Sequence, residues 1–122
     1  MYYSLQKGAP AQQVDDPPAG MRIIDVAGDL HDFGETAALM MNLDLVITVD
    51  TAAAHLAGAL ARPVWTMLAL VGEWRWLRHR DDSPWYPTMR LFRQTRWGDW
   101  RSVAERIADS MAGLSGSPPV AT

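Results

Sequence analysis

Residues 44–60 read Asp44-Leu-Val-Ile-Thr-Val-Asp50-Thr51-Ala-Ala-Ala-His55-Leu-Ala-Gly-Ala-Leu60, and this stretch decides the fold class. Its first part, 45–49, is a short β-branched apolar run of the kind that a parallel sheet buries on both faces. Its second part, 51–60, is rich in alanine and leucine and predicts a helix. The turn between them places Asp50 at the carboxyl edge of a sheet, where open α/β sheets bind ligands and where the first amides of a helix attract anions.

The rest of the chain alternates strands with helices. We expect helices over 32–41 and 99–114, a loop with one helical turn over 72–87, and further strands at 2–6, 22–26, 64–70 and 89–93. Strands that are separated by helices indicate right-handed crossovers and a parallel sheet. The sequence therefore predicts an α/β domain over 1–114, with a Rossmann-like parallel sheet flanked by helices, and a flexible tail over 115–122.

The composition is that of one globular domain, with 122 residues of which 48% are hydrophobic and 20% are charged. No apolar stretch is long enough to span a membrane and no secretory signal opens the chain, so we expect a cytoplasmic protein. The absence of cysteine excludes disulfides and thiolate chemistry. A net charge of −3 gives no footprint for nucleic acid, although eight arginines from Arg75 onward favour a small anionic ligand.

Several motifs carry a family resemblance. They are Asp50-Thr-Ala-Ala-Ala-His55 with Pro63-Val-Trp65, then Ser4-Leu-Gln-Lys-Gly8, Asp82-Ser-Pro-Trp-Tyr-Pro87 and Arg90-Leu-Phe-Arg-Gln94. On these motifs the chain resembles the carboxyl-terminal lobe of the heptosyltransferase-like glycosyltransferases of family 9. It resembles still more closely the bacterial proteins that fuse such a lobe to tetratricopeptide repeats. The Asp-Thr-x-x-x-His string is weak on its own, but its order with the Asp-Ser-Pro-Trp-Tyr-Pro segment makes it specific.

The resemblance implies a GT-B architecture, in which two Rossmann-like lobes face each other and the carboxyl-terminal lobe holds most of a sugar nucleotide. It implies that the diphosphate and sugar of the donor are surrounded by Asp50, Thr51, Ala52, Ala53 and His55. Backbone amides of 51–53 and the Thr51 hydroxyl would meet phosphate, while Asp50 would accept hydrogen bonds from sugar or ribose hydroxyls. No metal ion or other cofactor is implied, since helix amides and basic side chains can offset the diphosphate charge.

Two parts of the family's site are expected outside this chain. A phosphate-binding loop with threonine and lysine would precede residue 1, and the general base would lie in the amino-terminal lobe. We therefore expect no catalytic residue here, an amino end that is incomplete, and no activity of the chain alone. The missing lobe and the tetratricopeptide repeats are the expected partners. Ala52 and Ala53 stand where the family often has Gly-Leu, which shifts the fit around the sugar.

Three further residues, Lys7, Trp74 and Arg75, are secondary candidates. Lys7 ends the first strand near the same sheet edge and could reach phosphate, but it is equally suited to a solvated turn. Trp74 or Trp85 could stack on a nucleobase, whereas packing in the core or at an interface is the competing interpretation. Arg75 could clamp a phosphate or lie in an exposed helical turn.

Plainer interpretations of the main candidates stay open. His55 could be a structural residue that is hydrogen-bonded to the end of a neighbouring strand, and Asp50 with Thr51 could simply cap the helix. Asp81 and Asp82 diverge because they are adjacent, so they are assigned to a turn rather than to acid–base catalysis. No spacing of histidine and carboxylate residues matches a metal site.

The predicted function is that of a nucleotide-sugar-binding lobe that transfers a sugar from a nucleoside-diphosphate sugar to an unknown acceptor. The alternative is a degenerate, non-catalytic lobe that serves as an interaction or regulatory module, with the five tryptophans from Trp74 to Trp100 as its contact surface. A flavodoxin-like or response-regulator-like domain ranks last, because no acidic cluster follows the first strand.

Overall fold

The computed structural model describes residues 1–71, 76–77 and 80–115. It divides into two compact units, Met1–Leu39 and a second unit that begins at Met40. The first unit contains a two-stranded parallel sheet of β1 (Tyr2–Ser4) and β2 (Ile23–Asp25), with Tyr2 opposite Ile23. Two short 3-10 helices, Ala9–Asp15 and Ala27–Asp29, follow β1 and β2 respectively.

Helix α1 (Phe33–Met40) begins at the carboxylate that the sequence predicted as its cap. Asp32 Oδ1 accepts a hydrogen bond from the Glu35 amide at 2.8 Å, and Glu35 Oε2 accepts one from the His31 amide at 2.7 Å. The first bond satisfies an amide that the start of the helix leaves without a backbone acceptor, and the second ties the residue before the cap to the first turn. The end of α1 contributes Met40, which is fully buried in the core of the second unit.

The second unit is built on a three-stranded parallel sheet in the order β3 (Val46–Val49), β4 (Val64–Leu68) and β5 (Met89–Arg93). Helix α2 (Ala52–Ala59) connects β3 to β4, and α3 (Trp100–Ser115) follows β5. In this register the carboxyl ends of all three strands meet at one edge of the sheet. The strand-to-helix junction after β3 lies on that edge.

Two hydrophobic clusters cover the two faces of this sheet. One cluster joins α2, through Ala54 and Ala57, to the side chains of Val46, Val64, Leu68, Met89 and Leu91 from the strands. The other joins α3, through Val103 and Ile107, to Trp65 and Phe92. Successive residues of a strand point to opposite faces, so Val64 and Trp65 belong to different clusters. This arrangement is the predicted parallel sheet with helices on both faces.

The structure differs from the sequence-based expectations in two respects. The five strands form two separately hydrogen-bonded sheets among the described residues. Strand β3 is not buried on both faces, since Ile47 is 38% and Val49 is 44% exposed. Ile47 and Val49 face away from α2. On their side of the sheet, α3 packs on β4 and β5 and leaves these two residues of β3 uncovered.

Some predicted segments lie at the margins of what the structure describes. The predicted tail starts with Ser115, the last residue of α3, and its remainder lies outside the described residues. The predicted loop over 72–87 is described only in part. None of the helices in the described ranges is long and apolar enough to cross a membrane.

Candidate functional site

The junction between β3 and α2 lies at the carboxyl edge of the three-stranded sheet. Asp50 follows the last residue of β3, and Thr51 occupies the N-cap position of α2. Asp50, Thr51 and Ala52 are exposed, whereas Ala53 is half-buried. The polar end of the junction is therefore open, while α2 is anchored beneath it by the fully buried Ala54 and Ala57.

Thr51 has an extended backbone, with φ −140° and ψ 176°, and its side chain makes no capping hydrogen bond. Its hydroxyl instead lies 3.3 Å from the Thr48 hydroxyl and 3.4 Å from the carbonyl oxygen of Val49. The interpretation that the Thr51 side chain serves as a helix cap is therefore wrong. The first amides of α2 lack an intrahelical acceptor by geometry, and the Thr51 carbonyl accepts its first bond from Ala54, at 3.0 Å.

His55 lies one turn into α2 and contacts Tyr86, Asp50 and Trp76. Its Nδ1 is 3.1 Å from the Tyr86 hydroxyl, and its Nε2 is 3.9 Å from Asp50 Oδ1. Its ring stacks on Trp76, with centroids 5.2 Å apart and an angle of 21° between the planes. The partner of His55 is thus a phenol in the segment before β5, and not the end of a strand as the structural interpretation expected.

The rings of Trp76 and Tyr86 form an aromatic cluster with His55. Trp76 is fully buried, and its indole lies 6.5 Å from the Tyr86 ring. The Tyr86 ring lies directly on Gly58 of α2, because a Cβ at that position would be only 2.5 Å from the Tyr86 Cγ. Only a residue without a side chain permits this approach. Gly58 therefore determines where the Tyr86 ring, and with it the hydroxyl that meets His55, can lie.

The loop that carries Tyr86 is held by the side chain of Ser83. The Ser83 hydroxyl is buried and accepts hydrogen bonds from the amides of Trp85 and Tyr86, both at 3.2 Å. This is a serine turn, in which a side-chain oxygen replaces a backbone acceptor. The Asp82-Ser-Pro-Trp-Tyr-Pro87 segment thereby presents Tyr86 to α2.

The neighbouring carboxylates have structural contacts, as the sequence predicted. Asp82 is paired with Arg80 through two short bonds of 2.6 and 2.8 Å. That hydrogen-bonded guanidinium lowers the pKa of Asp82 from its ordinary value. The carbonyl of Asp81 accepts a hydrogen bond from the Leu91 amide at 2.7 Å, which ties the segment to β5.

The side chains of Arg93 and Gln94 form hydrogen bonds at the carboxyl edge of the three-stranded sheet, where β5 ends. The Arg93 guanidinium donates to the carbonyl of Leu77 at 2.6 Å, and its burial lowers the pKa of Arg93. Gln94 is buried, and its side-chain oxygen accepts hydrogen bonds from the amides of Leu70 and Gly98. The edge that carries the junction is therefore held together by bonds between the segments that follow β4 and β5.

The structure describes some of the secondary candidates and not others. Lys7 is exposed, and its ammonium donates to the carbonyl of Leu30 within the first unit. Trp74 and Arg75 lie outside the described residues. Trp85 is 60% exposed. A role of these four residues in donor binding stays a prediction.

Within the described residues, no group of three or more histidine and carboxylate side chains is arranged to hold a metal ion. Among the residues that the structure describes, the charged groups at the junction are Asp50 and, when protonated, His55. The hydrogen-bond donors available to an anion there are the first amides of α2 and the Thr51 hydroxyl. The junction is therefore suited to a ligand with both phosphate oxygens and hydroxyl groups.

The structure brings Asp50, Thr51, Ala52, Ala53 and His55 into one junction, as the motif spacing predicts. It adds Tyr86, Trp76, Gly58 and Ser83, which the sequence analysis did not assign to the site. Tyr86 is 31 positions from His55, and no spacing rule links residues so far apart. The family resemblance included the Asp82–Pro87 segment, but it did not indicate that Tyr86 contacts His55.

Comparison with known proteins is consistent with this geometry. The model of glycosyltransferase family 9 (heptosyltransferase) matches residues 6–97, a range that contains the junction and the aromatic cluster around His55. Protein FlbA of Caulobacter vibrioides is 35% identical over 95 residues, which is 77% of this chain. The matched region spans 15% of the length of that relative. No solved structure matches the chain significantly.

Proposed function

Because the chain belongs to glycosyltransferase family 9, we propose that it is the nucleotide-sugar-binding lobe of a GT-B glycosyltransferase. The longer protein transfers a sugar from a nucleoside-diphosphate sugar to an acceptor. In this proposal the diphosphate binds at the β3–α2 junction, where the amides of Ala52 and Ala53 and the Thr51 hydroxyl donate to phosphate oxygens. Asp50 accepts hydrogen bonds from sugar or ribose hydroxyls.

The observation that carries the proposal is the open start of α2. The Thr51 side chain does not cap the helix, and the junction residues Asp50 to Ala52 are exposed at the carboxyl edge of the sheet. Amides that no side chain caps are available to an anion, and the partial positive charge of the helix start favours one. The same edge binds ligands in open α/β sheets generally.

Catalysis in this proposal depends on parts beyond the chain. The junction contributes binding and orientation of the donor, and its amides stabilise the charge that develops on the leaving diphosphate. The general base that deprotonates the acceptor comes from an amino-terminal lobe, and tetratricopeptide repeats accompany that lobe. The chain alone binds donor without turnover. No divalent metal is required, since hydrogen-bond donors replace it.

The test is a titration of the ¹⁵N-labelled chain with ADP-, UDP- and GDP-linked hexoses. We expect one of them to shift the amide signals of residues 51–55 in a saturable manner. Thr51→Val removes the hydroxyl while keeping the shape, and should weaken binding by about three- to tenfold, the worth of one hydrogen bond. No response at 51–55 to any of the three donors would overturn the proposal.

A matched control for Thr51→Val is Thr88→Val. The Thr88 hydroxyl donates to the carbonyl of Arg62 at 2.7 Å, at the opposite, amino-terminal edge of the sheet. Its loss should lower the stability of the unit by about 1 kcal/mol and leave the affinity for the donor unchanged. A loss of stability is thereby separated from a loss of binding.

One observation favours a second function, that of a non-catalytic interaction module. Trp85, Trp97 and Trp100 are 60%, 74% and 44% exposed, and exposed tryptophans are enriched at protein interfaces. In this alternative the chain binds a protein partner and no sugar nucleotide. The same titration discriminates the two functions, because the module leaves the amides of residues 51–55 unmoved.

A further inference from the structure

We propose that Tyr86 is a positioning residue that holds His55 in the tautomer protonated on Nε2, so that this N–H is directed to the Asp50 side of the junction. The use of that N–H in donor binding rests on the proposed function. The tautomer itself does not, and it can be measured without any ligand.

The two nitrogens of His55 have partners of different chemistry. Nε2 lies 3.9 Å from Asp50 Oδ1, and an ionised carboxylate only accepts hydrogen bonds. A ring lone pair facing that oxygen would be repelled, whereas an N–H facing it is attracted. This carboxylate therefore favours the proton on Nε2, but 3.9 Å exceeds the length of a hydrogen bond, so the preference it gives is weak.

The Tyr86 hydroxyl completes this arrangement. It lies 3.1 Å from Nδ1, and a phenol both donates and accepts. A phenol is a stronger hydrogen-bond donor than acceptor, so the Tyr86 hydroxyl donates to Nδ1 and thereby keeps the ring proton on Nε2. Without that hydroxyl, the more distant Asp50 carboxylate is the one polar partner among the described residues that selects between the two tautomers.

The surroundings hold both rings in place for this bond. The His55 ring stacks on the buried Trp76 at 5.2 Å, which limits its rotation. The Tyr86 ring lies on Gly58, and its backbone amide is bonded to the Ser83 hydroxyl at 3.2 Å. The geometry points to a preorganised donor, whose binding to a ligand costs little further ordering.

In the donor complex, this N–H would donate to a phosphate or sugar oxygen next to Asp50. Thr51 and His55 lie one turn apart on α2, so the Thr51 hydroxyl and Nε2 approach the ligand from the same side of the helix. Tyr86 acts through His55 and does not touch the donor. Its loss should therefore weaken binding and leave the position of the bound diphosphate unchanged.

The test is the ¹⁵N spectrum of the imidazole groups of the full 122-residue chain, recorded without ligand at a pH where His55 is neutral. We expect two widely separated nitrogen signals for His55, with the proton on Nε2. In Tyr86→Phe, which keeps the ring on Gly58, the two signals should move toward each other as the tautomers mix. Tyr2→Phe removes a phenol hydroxyl in the first unit and should leave the His55 signals unchanged.

A His55 proton on Nδ1 in the native chain would overturn the proposal, and so would a Tyr86→Phe spectrum identical to the native one. A merely structural Tyr86 would change stability without mixing the tautomers. We expect Tyr86→Phe to weaken binding of the sugar nucleotide that the titration identifies by about three- to tenfold. If the tautomer depends on Tyr86 and no sugar nucleotide binds, positioning stands while the proposed function fails.

Discussion

Replacement of Gly58 by alanine should destabilise the second unit, although alanine is the better helix former. An added Cβ would lie 2.5, 2.7 and 2.9 Å from the Cγ and two Cδ atoms of Tyr86. These atoms are near the base of the ring, so the whole side chain must move. Overpacking of this kind costs about 1–3 kcal/mol, and the displaced Tyr86 hydroxyl also loses its bond to His55, which is worth about 1 kcal/mol.

The helix preference of alanine over glycine offsets about 1 kcal/mol of this cost. We therefore expect Gly58→Ala to lower the free energy of unfolding by about 1–3 kcal/mol. With a denaturant slope of about 1–2 kcal/mol/M, the midpoint of urea unfolding should fall by about 1 M. Tryptophan fluorescence is the suitable probe, because all six tryptophans lie between Trp65 and Trp100, in the second unit.

The matched control is Gly113→Ala in α3, where an added Cβ meets no atom within 4 Å. At this position the added methyl group causes no clash, and only the higher helix preference of alanine over glycine changes the stability. This variant should therefore be as stable as the native chain or more stable by up to about 1 kcal/mol. In a Tyr86→Ala background the clash is removed, and Gly58→Ala should then be neutral or stabilising. The reasoning is refuted if Gly58→Ala is fully stable, or if it destabilises both backgrounds equally.

Two further predictions concern the segment that presents Tyr86. Ser83→Ala removes the hydroxyl that accepts from the partly buried amides of Trp85 and Tyr86 and should cost about 1–3 kcal/mol in urea unfolding, whereas Ser83→Thr should retain most of the stability. Arg80→Ala should raise the pKa of Asp82 to its ordinary value in a carboxyl ¹³C titration, and an unchanged pKa would contradict the ion pair. Because the pKa of Asp82 is lowered in the folded state, the pair contributes above the unfolded pKa and its contribution is lost as the pH falls through the folded value. The side chain of Arg80 is 35% exposed and that of Asp82 is 64% exposed, so solvent screens the pair and we expect no measurable change in stability at neutral pH.

The sequence predicted those parts of the fold that depend on local patterns. The apolar run 45–49 corresponds to β3 (Val46–Val49), the alanine-rich run 51–60 to α2 (Ala52–Ala59), and β5 lies at Met89–Arg93 as expected. Hydrophobic periodicity indicates such elements, and here it placed their ends within one residue of the observed ones. The exposure of Ile47 and Val49 could not be predicted, because it depends on which strands α3 covers.

The candidate site was predictable only where it is continuous in sequence. Asp50, Thr51 and His55 share one junction because a strand end and one helical turn determine their spacing. Tyr86 meets His55 through a loop whose course is set by Ser83 and by the absence of a side chain at Gly58. A contact that depends on loop geometry and close packing carries no periodic signal, so it required the structure.

The central claim is that the β3–α2 junction binds the diphosphate of a sugar nucleotide. The most direct measurement is a crystal structure of the chain with a bound nucleoside-diphosphate hexose. The account predicts phosphate oxygens within hydrogen-bond distance of the Ala52 and Ala53 amides and the Thr51 hydroxyl, with a sugar or ribose hydroxyl on Asp50. A diphosphate bound elsewhere on the chain, with these groups facing only solvent, would contradict it.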